Sequence, residues 1–181
     1  MQIQLNSELT PGSAFNSEDL RWYAARIRAN HEKRVAERLV HRDIEYLLPL
    51  YTSRRQWKDR RVCLLMPLFP GYLFVRFGMR ERLRVLEVPG VAGLVGIGSQ
   101  PVPLREEEIR AIQGCMNPKS SVAPHPYLTL GNRARVRSGP FQGTEGIVVR
   151  TSGRTRLVIS FSLIQSSMTL EIDQIDLEPI H

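Results

Sequence analysis

Cysteine is scarce in this chain, with two residues, Cys63 and Cys115, among 181. They lie far apart and belong to no CxxC motif and no Cys/His cluster. A disulfide framework and a structural zinc site both need closely spaced ligands, so this sequence predicts neither of them. We interpret both cysteines as small buried or half-buried apolar residues, and we expect no metal.

Long apolar runs are also missing. No stretch approaches the roughly 18 apolar residues that span a bilayer, and the N-terminus has neither a basic start nor an apolar segment. The composition is 42% hydrophobic and 24% charged, which is typical of an ordinary globular protein. We therefore expect a cytoplasmic protein with no membrane partner.

Groups that would support catalysis are few. No nucleophile has an adjacent base, and the acidic run Glu106 to Glu108 is better explained as the first turn of a helix. The four histidines, at positions 31, 41, 125 and 181, do not have the spacing of metal ligands. The sequence predicts no enzyme and no cofactor.

Two glycine-rich segments invite a nucleotide-binding interpretation. "GVAGLVGIG" (90–98) sits in and around a predicted strand and does not open a helix, whereas a dinucleotide needs a helix N-terminus there. "GPFQGTEG" (139–146) lacks the GK[ST] ending of a phosphate-binding loop. Its glycines instead predict a tight turn between strands.

Positive charge is concentrated in one part of the chain. Residues 21–62 carry twelve Lys and Arg against five Asp and Glu, a net charge of +7, while residues 1–20 have a net charge of −3. Such a concentration is typical of a surface that contacts a polyanion. A solvated basic face without a partner is the alternative.

The order of elements predicts an α+β fold. Residues 1–20 show no periodicity and predict a mobile leader. Strands and helices alternate over 21–114, beginning with the strand "RWYAARIR" and the helix "HEKRVAERLVHRD". The Pro-rich stretch 115–127 predicts a linker, and short alternating segments over 128–181 predict a small all-β barrel.

The segment "PLFPGYLFVRF" (67–77) alternates as a strand with two apolar faces. One face carries Leu73, Val75 and Phe77, and the other carries Tyr72, Phe74 and Arg76. The alternation does not decide which face is the core. An aromatic face left outward would predict a partner.

Four motifs together resemble the NusG family of transcription elongation factors. They are "WYAARIR", "HEKRVAERL", "PLFPGYLFV" and the glycine-rich "GNRARVRSGPFQGTEGIVV", in that order over residues 21–181. The resemblance implies an N-terminal antiparallel sheet flanked by helices (an NGN domain, 21–114), followed by a small SH3-like KOW barrel (128–181). It places the KOW turn at Gly139, Pro140, Phe141, Gly143 and Gly146.

The resemblance further implies a surface for RNA polymerase. The family binds the clamp helices of the β′ subunit through an apolar sheet surface, and the matching residues are Leu68, Phe69, Tyr72 and Phe74. On this interpretation Leu73, Val75 and Phe77 take the core side and the aromatic pair faces outward. The alternative is that Tyr72 and Phe74 fill a second small core.

A second implied surface lies along the upstream DNA fork, at Arg28, His31, Lys33, Arg34 and Arg38. Arginines there would contact phosphates without sequence preference or read exposed bases. Bridging the clamp and the fork would suppress pausing or termination. The barrel, with a net charge of +1 over 128–181, would recruit a small-subunit ribosomal protein or the termination factor Rho.

Within the family, the chain is most similar to the specialised antiterminators of the RfaH and UpxY type, although it lacks their His-Thr-Thr run after Phe77. We expect a monomer whose C-terminal domain remains a barrel rather than refolding into a helical hairpin.

The alternative function is a ribosome-associated RNA-binding KOW protein. A sequence-specific repressor is weaker still, because no helix-turn-helix pattern is visible.

Overall fold

The structure is a computed structural model that describes residues 20–57, 60–128, 130–151 and 154–180. The predicted leader, except for Leu20, and the turn at Lys58 and Asp59 lie outside these residues, as does His181. No helix within the described ranges is long and apolar enough to cross a membrane.

Strands and helices alternate in the first part of the chain. The elements there are β1 (Arg21–Ile27), α1 (Glu32–Val40), β2 (Glu45–Leu47), β3 (Leu50–Trp57), β4 (Arg60–Pro67), β5 (Tyr72–Phe77), α2 (Arg82–Leu86), β6 (Val91–Leu94), β7 (Gly96–Ile97), β8 (Gln100–Pro101) and α3 (Glu106–Cys115). The rest of the described chain is strand and turn, with two short 3-10 helices at Ser162–Ile164 and Gln174–Asp176. Its strands are β9 (Val122–His125), β10 (Arg133–Val136), β11 (Glu145–Thr151), β12 (Arg154–Phe161), β13 (Ser166–Glu171) and β14 (Leu177–Pro179).

The N-terminal sheet has four strands in the order β2-β5-β1-β6. Its central pair, β1 and β5, runs antiparallel over the full length of β5, from Arg26 opposite Tyr72 to Arg21 opposite Phe77. Proline explains why "EYLLPLYTSRRQW" forms two strands rather than one, because Pro49 falls between β2 and β3. β3 and β4 pair with each other as a separate hairpin.

The C-terminal sheet has six strands in the order β14-β10-β11-β12-β13-β9, and neighbouring strands run antiparallel. It contains no α-helix among its described residues. The α+β fold class is therefore confirmed, and the C-terminal part is a sheet, not a helical hairpin. The predicted linker is structured in part, since β9 lies within it and joins this sheet.

Two apolar clusters lie on opposite faces of the N-terminal sheet. The helix-side core packs α1 and α2 against one face and contains Leu73, Val75 and Phe77. The inter-sheet core lies on the other face, contains Phe74, and continues through α3 into the C-terminal sheet. The period-2 alternation of β5 therefore separates two cores, each of them buried.

Candidate functional site

The loop between β4 and β5 is a tight turn formed by Phe69, Pro70, Gly71 and Tyr72. The Tyr72 amide donates to the Phe69 carbonyl at 3.1 Å, and Gly71 has a φ of +82°. Proline at the second position and a positive-φ glycine at the third are what a type II turn requires. The sequence "FPGY" thus places Phe69 and Tyr72 together at the start of β5.

The predicted polymerase contacts lie on the face of the N-terminal sheet away from α1. Leu68, Phe69 and Phe74 all belong to the inter-sheet core, and Tyr72 packs against it while half-buried. The Phe69 and Phe74 rings meet edge to face, with centroids 5.7 Å apart and an interplanar angle of 86°. The four residues therefore lie in or against one core, and their contact with polymerase stays a prediction.

The expectation that Phe74 faces outward is wrong. Its exposed fraction is 0%, and those of Leu68 and Phe69 are 1% and 2%. The interpretation in which this face fills a second core describes the structure. The physical reason is that alternation reveals an apolar face but carries no information about which distant segment covers it.

The C-terminal sheet provides that cover. Phe161 of β12 lies against Phe69, with ring centroids 5.0 Å apart. Met168 of β13 contacts the end of α3, where its Sδ is 3.1 Å from Sγ of Cys115. The two sheets therefore meet across the candidate polymerase surface, a contact that the sequence left open.

The predicted KOW turn has the expected turn geometry. Gly139 and Gly143 have φ of +83° and +80° in open space, which suits glycine. Gly146 lies against β12, since a Cβ there would be 2.5 Å from the Val158 carbonyl oxygen. Phe141 is buried, and its ring would lie 2.8 Å from a Cβ at Gly114. The turn thus also helps to join the two sheets, through Phe141.

The residues of the predicted DNA surface lie at the end of β1 and at and along α1, and their binding to DNA stays a prediction. Arg28 follows β1, and Lys33, Arg34 and Arg38 lie on α1, all four exposed. His31 precedes α1, is half-buried, and has its Nδ1 2.9 Å from the Ala29 carbonyl oxygen. The end of β1 and the start of α1 lie close together because only a short turn separates the two elements.

Two of these side chains already have partners within the fold. Lys33 donates from Nζ to the Leu65 carbonyl of β4 at 2.8 Å, and Arg38 donates to the Pro89 carbonyl. Among the described residues, no hydrogen bond or ion pair engages the side chains of Arg26, Arg28 or Arg34. The end of β1 and the first turn of α1 therefore carry three exposed arginines that are unpaired among the described residues.

Glu32 is a positioning residue that the sequence did not reveal. It begins α1 and is buried, and its Oε1 accepts a hydrogen bond from the Gly71 amide at 2.8 Å. This bond ties the start of the basic helix to the turn that carries Phe69 and Tyr72. An acidic residue in a basic segment, at the favourable end of a helix, was the available signal.

Arg76 has a structural partner. It lies opposite Glu45 of β2, and its Nη1 is 3.2 Å from Glu45 Oε2. The cross-strand ion pair accounts for a charged residue on a largely apolar strand.

A second charged cluster lies on the C-terminal sheet and joins Arg133, Arg135 and Arg137 to Glu145 and Glu178. The hydrogen bond and the charge of Glu145 raise the pKa of Arg135.

The two cysteines differ in environment. Cys63 is exposed on β4, contrary to the expectation that it is buried or half-buried, while Cys115 is buried at the end of α3. Burial raises the pKa of the Cys115 thiol well above its ordinary value. Within the described residues, no group of three or more His, Cys, Asp and Glu could hold a metal ion.

Known proteins similar to this chain span nearly its whole length. The chain is 30% identical over 173 residues to the transcription termination/antitermination protein NusG of Staphylococcus epidermidis, which covers 86% of this chain and 94% of that protein. It is 27% identical over 180 residues to NusG of Thermus thermophilus, covering 86% of this chain and 97% of that protein.

A solved structure has the same fold. It is described as "Domain interaction in Thermotoga maritima NusG", with a TM-score of 0.60 and 21% identity, and the match covers 92% of this chain and 100% of that one. A family model described as "Transcription termination factor nusG" matches residues 20–113. The described part of this match contains the N-terminal sheet, the turn with Phe69 and Tyr72, and the basic end of α1. The chain therefore belongs to the NusG family.

Proposed function

We propose that this protein is a transcription elongation factor that binds RNA polymerase and DNA and thereby suppresses pausing or termination. One observation carries the proposal: in a NusG-family fold, the bond from Gly71 to Glu32 joins an aromatic apolar surface to an unpaired basic one. A protein that holds two such surfaces at a fixed separation is suited to bridge two partners.

The polymerase partner is the pair of clamp helices of the β′ subunit, and the contact residues are Leu68, Phe69, Tyr72 and Phe74. These residues supply large apolar and aromatic side chains, which are frequent anchors of protein interfaces. Phe69 packs against Phe161 of the C-terminal sheet, and all four residues lie in or against the core that this sheet shares, so the sheet competes with polymerase for them. Binding requires a form in which the two sheets have separated.

The DNA partner is the upstream fork, held by the basic surface. Arg28 and Arg34 are the principal contacts because their guanidinium groups are unpaired among the described residues, and Lys33 and Arg38 lie beside them. Contacts to phosphate need no particular geometry and are the first expectation for exposed arginines. Base contacts at the exposed single strand remain the alternative use.

The mechanism follows from the two contacts. A protein that binds the clamp and the fork together favours the closed clamp and the re-annealed upstream duplex, because only those states satisfy both contacts. Paused and termination-prone states lose one contact and are disfavoured. The protein makes and breaks no covalent bond in this scheme.

The C-terminal sheet serves as the recruiting part. Its separation from the N-terminal sheet would leave it free to bind a small-subunit ribosomal protein or Rho. The spacing of "PLFPGYLFVRF" favours the specialised antiterminator type over the general factor. The domain division at residues 21–114 and 128–181 is part of the same proposal.

Retention on immobilised core RNA polymerase tests the proposal. The Phe69→Ala, Tyr72→Ala double variant should lose at least about tenfold in retention, since removing two aromatic anchors costs more than the roughly 1.4 kcal/mol of a tenfold change. Leu83→Ala is the matched control, because Leu83 is an exposed apolar residue on α2, outside both proposed surfaces.

Both variants are compared in a Gly114→Ala background, in which the added Cβ would lie 2.8 Å from the Phe141 ring and is expected to loosen the contact between the two sheets. This background keeps the proposed contacts intact and weakens their cover. Equal retention of the aromatic double variant and the Leu83→Ala control would contradict the clamp assignment.

A further inference from the structure

A cleft of about 520 Å³ lies between the start of α3 and the C-terminal sheet. One wall is the first turn of α3 with Arg105 just before it, and the other is formed by β11, β12 and the turn that precedes β11. Its volume is within the roughly 300–1,000 Å³ of sites that bind small molecules. None of its lining residues belongs to the proposed polymerase or DNA surface. The cleft is therefore a separate feature of the molecule.

The strands β11 and β12 separate where they reach the cleft. Their pairing ends at Ile147 opposite Val158. Beyond this pair, Glu145 and Ser160 have no backbone partner across the gap between the two strands among the described residues, and both line the cleft. Backbone groups without a ladder partner need another hydrogen-bonding group. The cleft thus has polar backbone in its wall as well as apolar side chains.

Thr144 places a hydroxyl group at the cleft. The residue is 4% exposed and lies in the cleft wall, and its side chain forms no hydrogen bond with any described residue. No buried side-chain nitrogen or oxygen in the described part of the chain is sealed from solvent without a partner. The Thr144 Oγ1 is therefore open, and the open space beside it is the cleft. A nearly buried hydroxyl without a protein partner points to a bound molecule, because buried polar groups are normally hydrogen-bonded.

An arginine stands at each wall of the cleft. Arg105 Nη2 is 3.4 Å from Glu108 Oε1, and Arg133 Nη2 is 2.8 Å from Glu145 Oε2. Each guanidinium group uses one nitrogen in its pair, and its other side-chain N–H groups have no partner among the described residues. The planar fork of arginine suits a carboxylate. The two walls therefore both offer free donors to an anionic group.

Charges of both signs surround the cleft. Besides the two ion pairs, its lining contains Glu107, which is exposed and whose side chain has no ion pair or hydrogen bond among the described residues. A purely anionic ligand would meet the repulsion of Glu107, and a purely cationic ligand would meet that of Arg105 and Arg133. A ligand with one charge of each sign is complementary to both. The charges thus favour a zwitterion over a phosphate or a polyamine.

We propose that the cleft binds a free α-amino acid with an apolar side chain, and that the bound molecule holds α3 to the C-terminal sheet. The ligand carboxylate accepts from Arg105 and Arg133, its ammonium group pairs with Glu107, and its side chain lies against Ile147 and Val158. The inference goes beyond the proposed function, because it concerns a separate cleft and holds whether or not polymerase or DNA binds.

A ligand in this position bridges two parts of the chain. Arg105 and Glu107 belong to the start of α3, whereas Arg133 belongs to β10 of the C-terminal sheet. Only the packed arrangement brings these groups to one cleft, so the ligand binds that arrangement and not the separated one. At a ligand concentration of about ten times Kd, the equilibrium should shift about tenfold toward the packed arrangement.

Isothermal titration calorimetry of the full chain with L-leucine tests the site. Isocaproate keeps the carboxylate and the branched chain of leucine but lacks its ammonium group, and isoamylamine keeps the ammonium group but lacks the carboxylate. L-leucine should bind at least about tenfold more tightly than either analogue, because only leucine satisfies both kinds of charge. Equal binding of the three probes, or no binding of L-leucine at about 10 mM, would overturn the proposal.

Glu107→Gln removes the partner of the ammonium group and keeps the size of the side chain. It should weaken L-leucine binding at least about tenfold and leave isocaproate binding no weaker. Glu106→Gln is the matched control, because it makes the same change on the preceding residue of α3, which is exposed and lies outside the cleft lining. It should alter neither affinity. Equal losses in the two variants would mean that net charge alone acts, and the proposed pairing would fail.

Thiol labelling tests the bridge. In a Cys63→Ser background, Cys115 is the single remaining cysteine and lies buried against Met168 of the C-terminal sheet. Its labelling requires the sheet to move away, so L-leucine at about ten times its Kd should slow the reaction about tenfold. Isoamylamine at the same concentration should leave the rate unchanged. A labelling rate that saturating L-leucine does not alter would refute the bridging role.

Discussion

Phe69 of the N-terminal sheet and Phe161 of the C-terminal sheet lie ring against ring, with centroids 5.0 Å apart and an interplanar angle of 75°. An edge-to-face pair contributes about 0.5–1.5 kcal/mol beyond the area that it buries. One of the proposed polymerase anchors is therefore already engaged within the molecule. Any partner for Phe69 must first displace Phe161.

Gly114→Ala should open this contact. A Cβ at Gly114 would lie 2.8 Å from the Phe141 ring and 2.9 Å from the Pro140 carbonyl oxygen, so the turn has to move away from α3. Overpacking of this kind costs about 1–3 kcal/mol. We expect Cys115 labelling in a Cys63→Ser background to rise about tenfold, and retention on polymerase to rise with it.

Gln113→Ala is the control for that substitution, because Gln113 is the exposed neighbour on the same helix. It should leave both the labelling rate and the retention unchanged. If Gly114→Ala labels as slowly as Gln113→Ala, the Phe141 contact does not hold the sheets together.

Arg28→Ala with Arg34→Ala should weaken binding to fork DNA. Each lost phosphate contact lowers the slope of log K against log salt by about 0.9 for duplex DNA, so the pair should flatten it by about two. The measurement is a salt titration of binding by fluorescence anisotropy. Arg80→Ala with Arg82→Ala, two exposed arginines near and on α2, is the equal-charge control.

A larger effect of the Arg80 and Arg82 pair than of the Arg28 and Arg34 pair would move the DNA surface to α2. Equal effects would mean that net charge alone drives binding.

Glu32→Ala should destabilise the fold, because it leaves the Gly71 amide without its acceptor. An unsatisfied buried donor costs about 1–3 kcal/mol, which urea unfolding would measure. Glu32→Gln keeps an acceptor oxygen and should retain most of that stability. If the two variants are equally destabilised, the hydrogen bond is not what the carboxyl contributes.

Stability should fall at alkaline pH because of Cys115. Its pKa is raised in the folded chain, so above the ordinary thiol value of about 8.5 the unfolded chain loses a proton that the folded chain keeps. The free energy of unfolding should therefore decrease as pH rises, by up to about 1.4 kcal/mol per pH unit. Below about pH 8 this contribution is absent.

Urea unfolding between pH 8 and 9.5 measures this dependence, before buried Tyr23 and half-buried Tyr46, whose pKa values are also raised, begin to contribute. Cys115→Ala removes the ionisable group and should flatten the curve over that range. Parallel curves for the two proteins would show that another group is responsible.

Local sequence determined the elements and the groups of residues that act together. The alternation of "PLFPGYLFVRF" placed Leu73, Val75 and Phe77 on the face opposite Phe74, and the structure puts them in separate cores. Proline and glycine set the Phe69 turn, and helical spacing brought Lys33, Arg34 and Arg38 together beside Arg28. These features depend on neighbours in the chain, which is why periodicity and turn chemistry reveal them.

Only the tertiary structure decided what covers each surface. The burial of Phe74 beneath a sheet that contains Phe161 and Met168 depends on contacts between segments far apart in sequence, as does the bond from Gly71 to Glu32. The same holds for β9, a linker segment whose strand conformation comes from pairing with β13. The sequence shows that a residue is apolar, but which segment packs against it depends on how the whole chain folds.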